Sequence, residues 1–421
     1  MTGNLRDRLK RIQQTQQGAQ AAALPKKESG GSGGKSRRDG DISSFAAGGW
    51  SPAGHMTLRR EIVCGENIAL PRKIPEAAEI VMPGIGRAAY EDLLFFDLET
   101  TGLSGGAGTV AFLAAFGRLA AAGGCDAQTA FFNVRVTQYL LLDYPGESDF
   151  IAALLAEFAR AVPAGVTMVS YNGKSFDSQI LKTRCLMNGA APPVYDHADL
   201  LYPARRLWKR LLPNCSQGTI EEGILGIDRT GDIPGAMAPD IWFSFLRSGE
   251  TEPLLGICDH NRRDISGLAA LFSAMVHIAG DPIGAADTIN FDIESLALRW
   301  YGLTRRGTDT GLRETGEKLL RFAADSGRPR AVLRYAQSLV WDGKFTEGRE
   351  WLCRAALEDC PPPVRIAALR ALAIHSERRR GNAAEALEFT VRAQELLPAD
   401  SPLHYEFERR AERLGKKLIN E

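Results

Sequence analysis

The run Leu93-Leu94-Phe95-Phe96, followed at once by Asp97 and Glu99, constrains this chain more than any other segment. A short, continuous, aromatic-rich apolar run reads as a buried strand. Side chains two apart on a strand share one face, so Asp97 and Glu99 point into the same interior space. Their mutual repulsion there is relieved only by protonation or by a cation. Two more acids sit in separate segments, Asp177 in YNGKSFDSQ and Asp264 in HNRRDISGL. The order and chemistry of the four carboxylates suit a centre that holds divalent metal.

The rest of the chain supplies a fold large enough to bury such a centre. With 421 residues, 44% of them hydrophobic, it has room for about two or three domains and at least one full core. Fifty-one basic and 51 acidic residues cancel, so no overall field draws the chain to nucleic acid or to an anionic membrane. Any nucleic-acid contact must come from local patches. The seven cysteines are scattered and contain no C-x-x-C pair, which argues against a disulfide framework and against a zinc site. A reducing, cytoplasmic location is expected. No apolar h-region opens the chain and no run of apolar residues is long enough to span a bilayer.

Four regions follow from the patterning. Residues 1–48 are poor in apolar side chains and include a Gly/Ser linker from Glu28, with a marginal helix over Leu5–Gln17. Residues 49–90 hold short strand-like pieces such as Thr57–Val63. Residues 91–282 alternate strands with helices, the signature of an α/β layer fold. The expected strands are Leu93–Asp97, Val110–Arg118, Ala130–Gln138, Thr167–Tyr171 and Pro193–Tyr195, and the expected helices are Phe150–Ala161, Asp177–Met187, Leu200–Leu211 and Leu254–Ala279. A mixed sheet of about five strands results, its first three antiparallel, with helices on both faces. From 283 to 421 helix pairs take over. The segment 331–357 is echoed by 366–396, with Gly343 answering Gly381 and Glu347 answering Glu385. Helix-turn-helix repeats of this period resemble the tetratricopeptide class, and Tyr405–Leu418 reads as a capping helix.

Asn172, Phe176 and Asp177 form N-x-x-x-F-D directly after an expected strand, and His260 and Asp264 lie on one face of an expected helix. With FFDLETTGLSGGAGT, HADLLYPARRLW and LPNCSQGTIEEGILGIDRTGDIPG, these motifs make residues 90–280 resemble the DEDD exonucleases of the ribonuclease H-like superfamily, and among them the YprB-type ribonuclease H-like domain. The resemblance implies that Asp97, Glu99, Asp177 and Asp264 hold two divalent cations, Mg²⁺ or Mn²⁺, with Asp97 bridging. It casts His260 as the base that orients or deprotonates water. The histidine stands at the spacing at which one DEDD branch carries tyrosine, which sets this motif apart from both better-known patterns. Thr100 and Thr101 would hydrogen-bond the terminal nucleotide, Asn172 and Phe176 would line the substrate path, and Asp199 would serve as an auxiliary acid behind the ligands.

Local basic patches complete the reading. Arg205, Arg206, Lys209 and Arg210 form a stripe on an expected helix that can track phosphates, with Trp208 beside it to stack a base. A solvated helix face with a core tryptophan accounts for the same residues. Lys174, Lys182 and Arg184 surround the second motif and would add to a positive groove. The loop Ser104–Thr109 can admit a substrate backbone or simply close a hairpin. The functional expectation is a metal-dependent 3′→5′ exonuclease on single-stranded DNA or RNA, with the helical tail docking a protein partner. Two alternatives stand beside it: a catalytically weak binding or scaffold protein, and a structure-specific endonuclease on the same fold.

Overall fold

Alternation along the first carboxylate strand sets the architecture. The computed structural model describes residues 45–102, 108–125, 128–160 and 165–420. The expected N-terminal linker and helix, and most of the Gly-rich loop, lie outside them. Seven strands form one sheet: β1 Ser51–Gly54, β2 Thr57–Pro71, β3 Leu93–Thr100, β4 Ala111–Cys125, β5 Thr129–Leu141, β6 Thr167–Ser170 and β7 Asp196–Asp199. Their order is β1-β2-β5-β4-β3-β6-β7. Pairing is antiparallel from β1 to β3 and parallel from β3 through β6 to β7.

The sheet is wider than the five strands expected, because β1 and β2 extend it beyond β5. The segment 49–90 therefore contributes strands to the main sheet. The last strand also moves. Pro193–Tyr195 is not a strand; the ladder instead pairs Thr167 with Asp196 and Ser170 with Asp199. Backbone pairing to β6 recruits the polar stretch DHAD, which hydrophobicity alone passes over.

Helices cover both faces. In chain order they are α1 Glu147–Ala159, α2 Asp177–Met187, α3 Leu201–Trp208, α4 Ala238–Ser248 and α5 Glu252–Gly280. Leu94, Phe96 and Leu98 point to one face, into a core shared with Phe150 and Leu154 of α1, Ile180 of α2 and Trp242 of α4. Leu93 and Phe95 point to the other, where Phe95 meets Phe272 of α5 edge-on at 5.6 Å between ring centroids. The pleat then carries Asp97 and Glu99 to the α5 side.

The second core runs on without a break into α6 Ile293–Thr304, α7 Thr310–Asp325, α8 Pro329–Trp341, α9 Phe345–Ala355, α10 Pro362–Arg379, α11 Ala383–Gln394 and α12 Pro402–Asn420. The pairs α8/α9 and α10/α11 are the two echoed sequence segments. Gly343 and Gly381 sit in their turns with φ of +78° and +62°, a left-handed backbone that glycine adopts without strain. Ion pairs link residues one repeat apart: Arg349 with Glu385 at 2.5 Å, Arg370 with Glu406, and Glu377 with Arg413. No described helix is long and apolar enough to cross a membrane.

Candidate metal centre and nucleic-acid face

Three elements bring the four acids together. β3 presents Asp97 and Glu99, the first residue of α2 presents Asp177, and the middle of α5 presents Asp264. Glu99, His260 and Asp264 offer ligand atoms within 4.8 Å of one another. Burial pushes the carboxyls of Asp97 and Glu99 well above the usual range, and Asp264 and Asp177 push both further. Burial, with Asp199 nearby, raises Asp177 to about 7. Three acids that resist ionisation in one dry space, with imidazole beside them, are a donor set that fits a hard divalent cation.

Asp97 is held by a buried polar chain that reaches the edge of the sheet. Asn261 on α5 donates to Asp97 Oδ2 at 2.6 Å and accepts from Gln138 of β5 at 2.8 Å. Gln138 also donates to the Cys258 carbonyl at 2.8 Å and accepts from Arg60 of β2 at 2.6 Å. Arg60 in turn lies over the Trp50 ring, 4.7 Å from its centroid. Asn261 and Gln138 are both fully buried. No motif in the sequence points to this chain of amides, although Asn261 adjoins His260 and its spacing to Asp264 puts it on the inner face of α5.

The loop after the π turn Glu221–Leu225 supplies another group of residues, in a stretch without periodicity to mark them. Asp232 meets His260 Nδ1 at 2.9 Å, while His260 Nε2 lies 3.2 Å from Asp264 Oδ2. Burial works against the charge of Asp232, but Arg229 and His260 outweigh it and hold its carboxyl below the ordinary value. Arg229 bonds Glu221, Asp232 and Asp264 at 2.5, 2.7 and 2.6 Å.

The remaining expected residues divide. Asp199 is buried and accepts from the backbone N–H groups of Asn172, Lys174 and Leu201 at 2.8, 3.0 and 3.0 Å. It fixes the loop leading to Asp177, in which Asn172 is exposed and adopts φ +65°. Phe176 precedes α2 and packs partly buried against the core. The Thr100 hydroxyl donates to the Gly102 carbonyl at 2.9 Å, and the Thr101 hydroxyl accepts from the Val110 N–H at 3.0 Å, so both close the β3–β4 connection.

Arg205 on α3 and Lys209 just past its end are exposed while Arg206 is half-buried. Trp208 is a core residue, fully buried with its indole N–H on the Asn290 carbonyl at 2.9 Å, and cannot stack a base. Arg184 is likewise turned away from any groove by a buried bidentate pair with Glu147.

Comparison with known proteins agrees with this architecture, since residues 94–276 match the ribonuclease H superfamily. That stretch carries a ribonuclease H-superfamily domain. The chain is also 32% identical over 279 residues to "Uncharacterized protein YprB" of Bacillus subtilis (strain 168). That similarity covers 63% of this chain and 62% of the relative, somewhat under two thirds of its length. The matched stretch takes in all four clustered acids, Asn261, Gln138 and the Arg229 loop, while Arg60 and Trp50 lie before it.

Proposed function

We propose that this chain is a two-metal, DEDD-type nuclease that hydrolyses phosphodiester bonds in single-stranded nucleic acid, from the 3′ end. The observation that carries the reading is the convergence of Asp97, Glu99, Asp177 and Asp264 from three elements, where burial and the neighbouring carboxyls oppose the ionisation of Asp97, Glu99 and Asp177. Mg²⁺ or Mn²⁺ bound by these four residues supplies charge stabilisation and an activated water for in-line displacement. Asn261 holds Asp97 through Oδ2 and leaves its other oxygen for a cation. Asp232 accepts at His260 Nδ1, which turns Nε2 toward the carboxylates and suits it to receive a proton from water. Asp199 holds the loop that aims Asp177.

In the same reading Arg205, Lys209 and the half-buried Arg206 lie along the phosphate path, with Thr100, Thr101, Asn172 and Phe176 around the terminal nucleotide. Residues 91–282 form the nuclease unit with 49–90 as its sheet edge, and 283–421 dock a protein partner in the cytoplasm.

The test is degradation of end-labelled single-stranded DNA and RNA with Mg²⁺ or Mn²⁺, wild type beside Asp97→Ala. Stepwise shortening from the 3′ end by the wild type alone supports the reading; equal activity in Asp97→Ala refutes it. One observation favours a second reading, a catalytically weak nucleic-acid-binding protein: Arg229 and His260 together engage both oxygens of Asp264. Saturable oligonucleotide binding without turnover, unchanged by EDTA and by Asp97→Ala, is the outcome that selects it.

A further inference from the structure

Arg229 has no part in the hydrolytic reading above, yet it is the most heavily engaged cation in the acidic centre among the described residues. Its side chain is 9% exposed and bonds three carboxylates at once. Glu221, one of the three, is wholly buried, and Gly267 of α5 makes its place: a Cβ on Gly267 would come within 1.8 Å of Glu221 Oε1. Burial works against the charge on Arg229, but Asp264 and Glu221 more than offset it and keep the guanidinium protonated. A guanidinium cannot shed its charge by losing a proton as a lysine can. Only movement removes it.

Carboxyls outnumber cations around it. Asp97, Glu99, Asp177, Asp264, Asp232 and Glu221 are six carboxyls, and among the described residues Arg229 is the one buried cation bonded to them. Arg263 reaches Asp232 at 4.0 Å from a 40% exposed position. Arg229 is tied to Asp264 Oδ1, and His260 Nε2 stands at 3.2 Å from Oδ2. A divalent cation that takes Asp264 as a ligand meets a competitor already in place.

We propose that Arg229 is the resident counter-charge of this centre and competes with the divalent cation for Asp264, so that it sets how tightly the centre binds metal. This rests on the metal-site reading above. An arginine that merely staples its loop to α5 makes the opposite prediction, because losing it would loosen Asp264 and weaken metal binding. Competition predicts that losing it strengthens metal binding, through a freed ligand oxygen and one less positive charge beside the cation.

The experiment is Mn²⁺ titration of the full chain, by calorimetry and by the signal of free Mn²⁺ in electron paramagnetic resonance, with no substrate present. Glu221→Gln is compared with Glu221→Gln/Arg229→Gln, a pair in which removing the guanidinium leaves no buried unpaired Glu221 charge. The double variant is expected to bind Mn²⁺ about tenfold more tightly than the single one. Equal or weaker binding by a folded double variant overturns the proposal. Should the double variant not fold, Glu221→Gln/Arg229→Met decides: it too removes the positive charge without leaving Glu221 charged and unpaired, so binding should tighten severalfold over Glu221→Gln, and unchanged or weaker binding overturns the proposal. A wild type that takes up no Mn²⁺ at millimolar concentration refutes the metal site itself, and with it the role of Arg229; a wild type that binds with an affinity indifferent to Arg229 refutes only the latter.

Discussion

Asp97→Asn separates the cost of the centre from its use. The asparagine is isosteric and keeps an oxygen for the Asn261 amide, which donates to Asp97 at 2.6 Å. It removes one charge opposed by Asp264, Glu99 and Asp177. A fully ionised pair about 5 Å apart at an effective dielectric of about 20 repels by roughly 3 kcal/mol. Protonation limits what the protein bears, since forcing a carboxyl to ionise costs about 1.4 kcal/mol for each pH unit by which its surroundings resist. Weakening the charge-assisted bond from Asn261 returns about 1 kcal/mol. The net expectation in EDTA at pH 8 is a variant more stable than wild type by about 1–3 kcal/mol, read by urea denaturation with an unchanged m-value. Saturating Mg²⁺ or Mn²⁺ should reverse the order, because a cation at about 100 times its Kd adds about 2.7 kcal/mol to whichever protein binds it. Catalysis should be lost. A variant destabilised in EDTA, or one that gains as much from cation as wild type does, refutes the account of Asp97 as a strained ligand.

The same geometry fixes further outcomes. Asp177, whose folded value of about 7 lies above the ordinary 3.8, contributes stability that is complete below about pH 4 and is lost as pH rises through 7, and Asp97 and Glu99 act in the same direction. The Tm in EDTA should therefore fall between pH 6 and pH 8.5 and the fall should shrink with Mg²⁺; a Tm that rises over that interval in EDTA contradicts it. Asn261→Ala breaks two buried bonds, one of them to a carboxylate, and should cost about 2–4 kcal/mol in chemical denaturation, with a loss under about 0.5 kcal/mol counting against the polar chain. Arg205→Ala with Lys209→Ala should reduce the salt dependence of single-strand binding by about 0.7 in log–log slope for each phosphate no longer neutralised, measured by anisotropy across a salt series, whereas an unchanged slope removes α3 from the nucleic-acid path.

What the sequence made legible, and what it hid, divides along physical lines. The alternation Leu93 to Glu99 placed two acids on one face because the pleat has a fixed period, and β3 realises it. The helical tail was legible because turn glycines recur about a repeat apart, Gly343 and Gly381. Strand β7 was not, because DHAD owes its conformation to a parallel ladder with β6 and not to its own composition. Trp208 stood open between a stacking ring and a core residue, and Arg184 misled, for a related reason: residue type offers a stacking ring or a phosphate ligand, but the indole N–H is spent on Asn290 and the guanidinium on Glu147. Arg229 and Asp232 lie in a loop without periodicity, and only the fold brings them to His260 and Asp264.

The placement of those loop residues bears on why the carboxylate cluster is tolerated before any cation arrives. A buried set of like charges unfolds a domain unless something in the chain offsets it. Two devices do so here, and they act on different acids. Asp97 is stabilised from behind by neutral amides, a chain through Asn261 and Gln138 that ends on the cation–π contact of Arg60 with Trp50. Asp264 is stabilised in front by the full charge of Arg229. Neutral amides leave the electrostatic demand of Asp97 intact, whereas a guanidinium satisfies the demand of Asp264; on the metal-site reading proposed above, the first stays ready for a cation and the second has to be freed. The strand side of the centre is therefore poised to bind first and the α5 side second, an order that stepwise Mn²⁺ occupancy in wild type, collapsing toward a single phase when Arg229 is neutralised, would reveal.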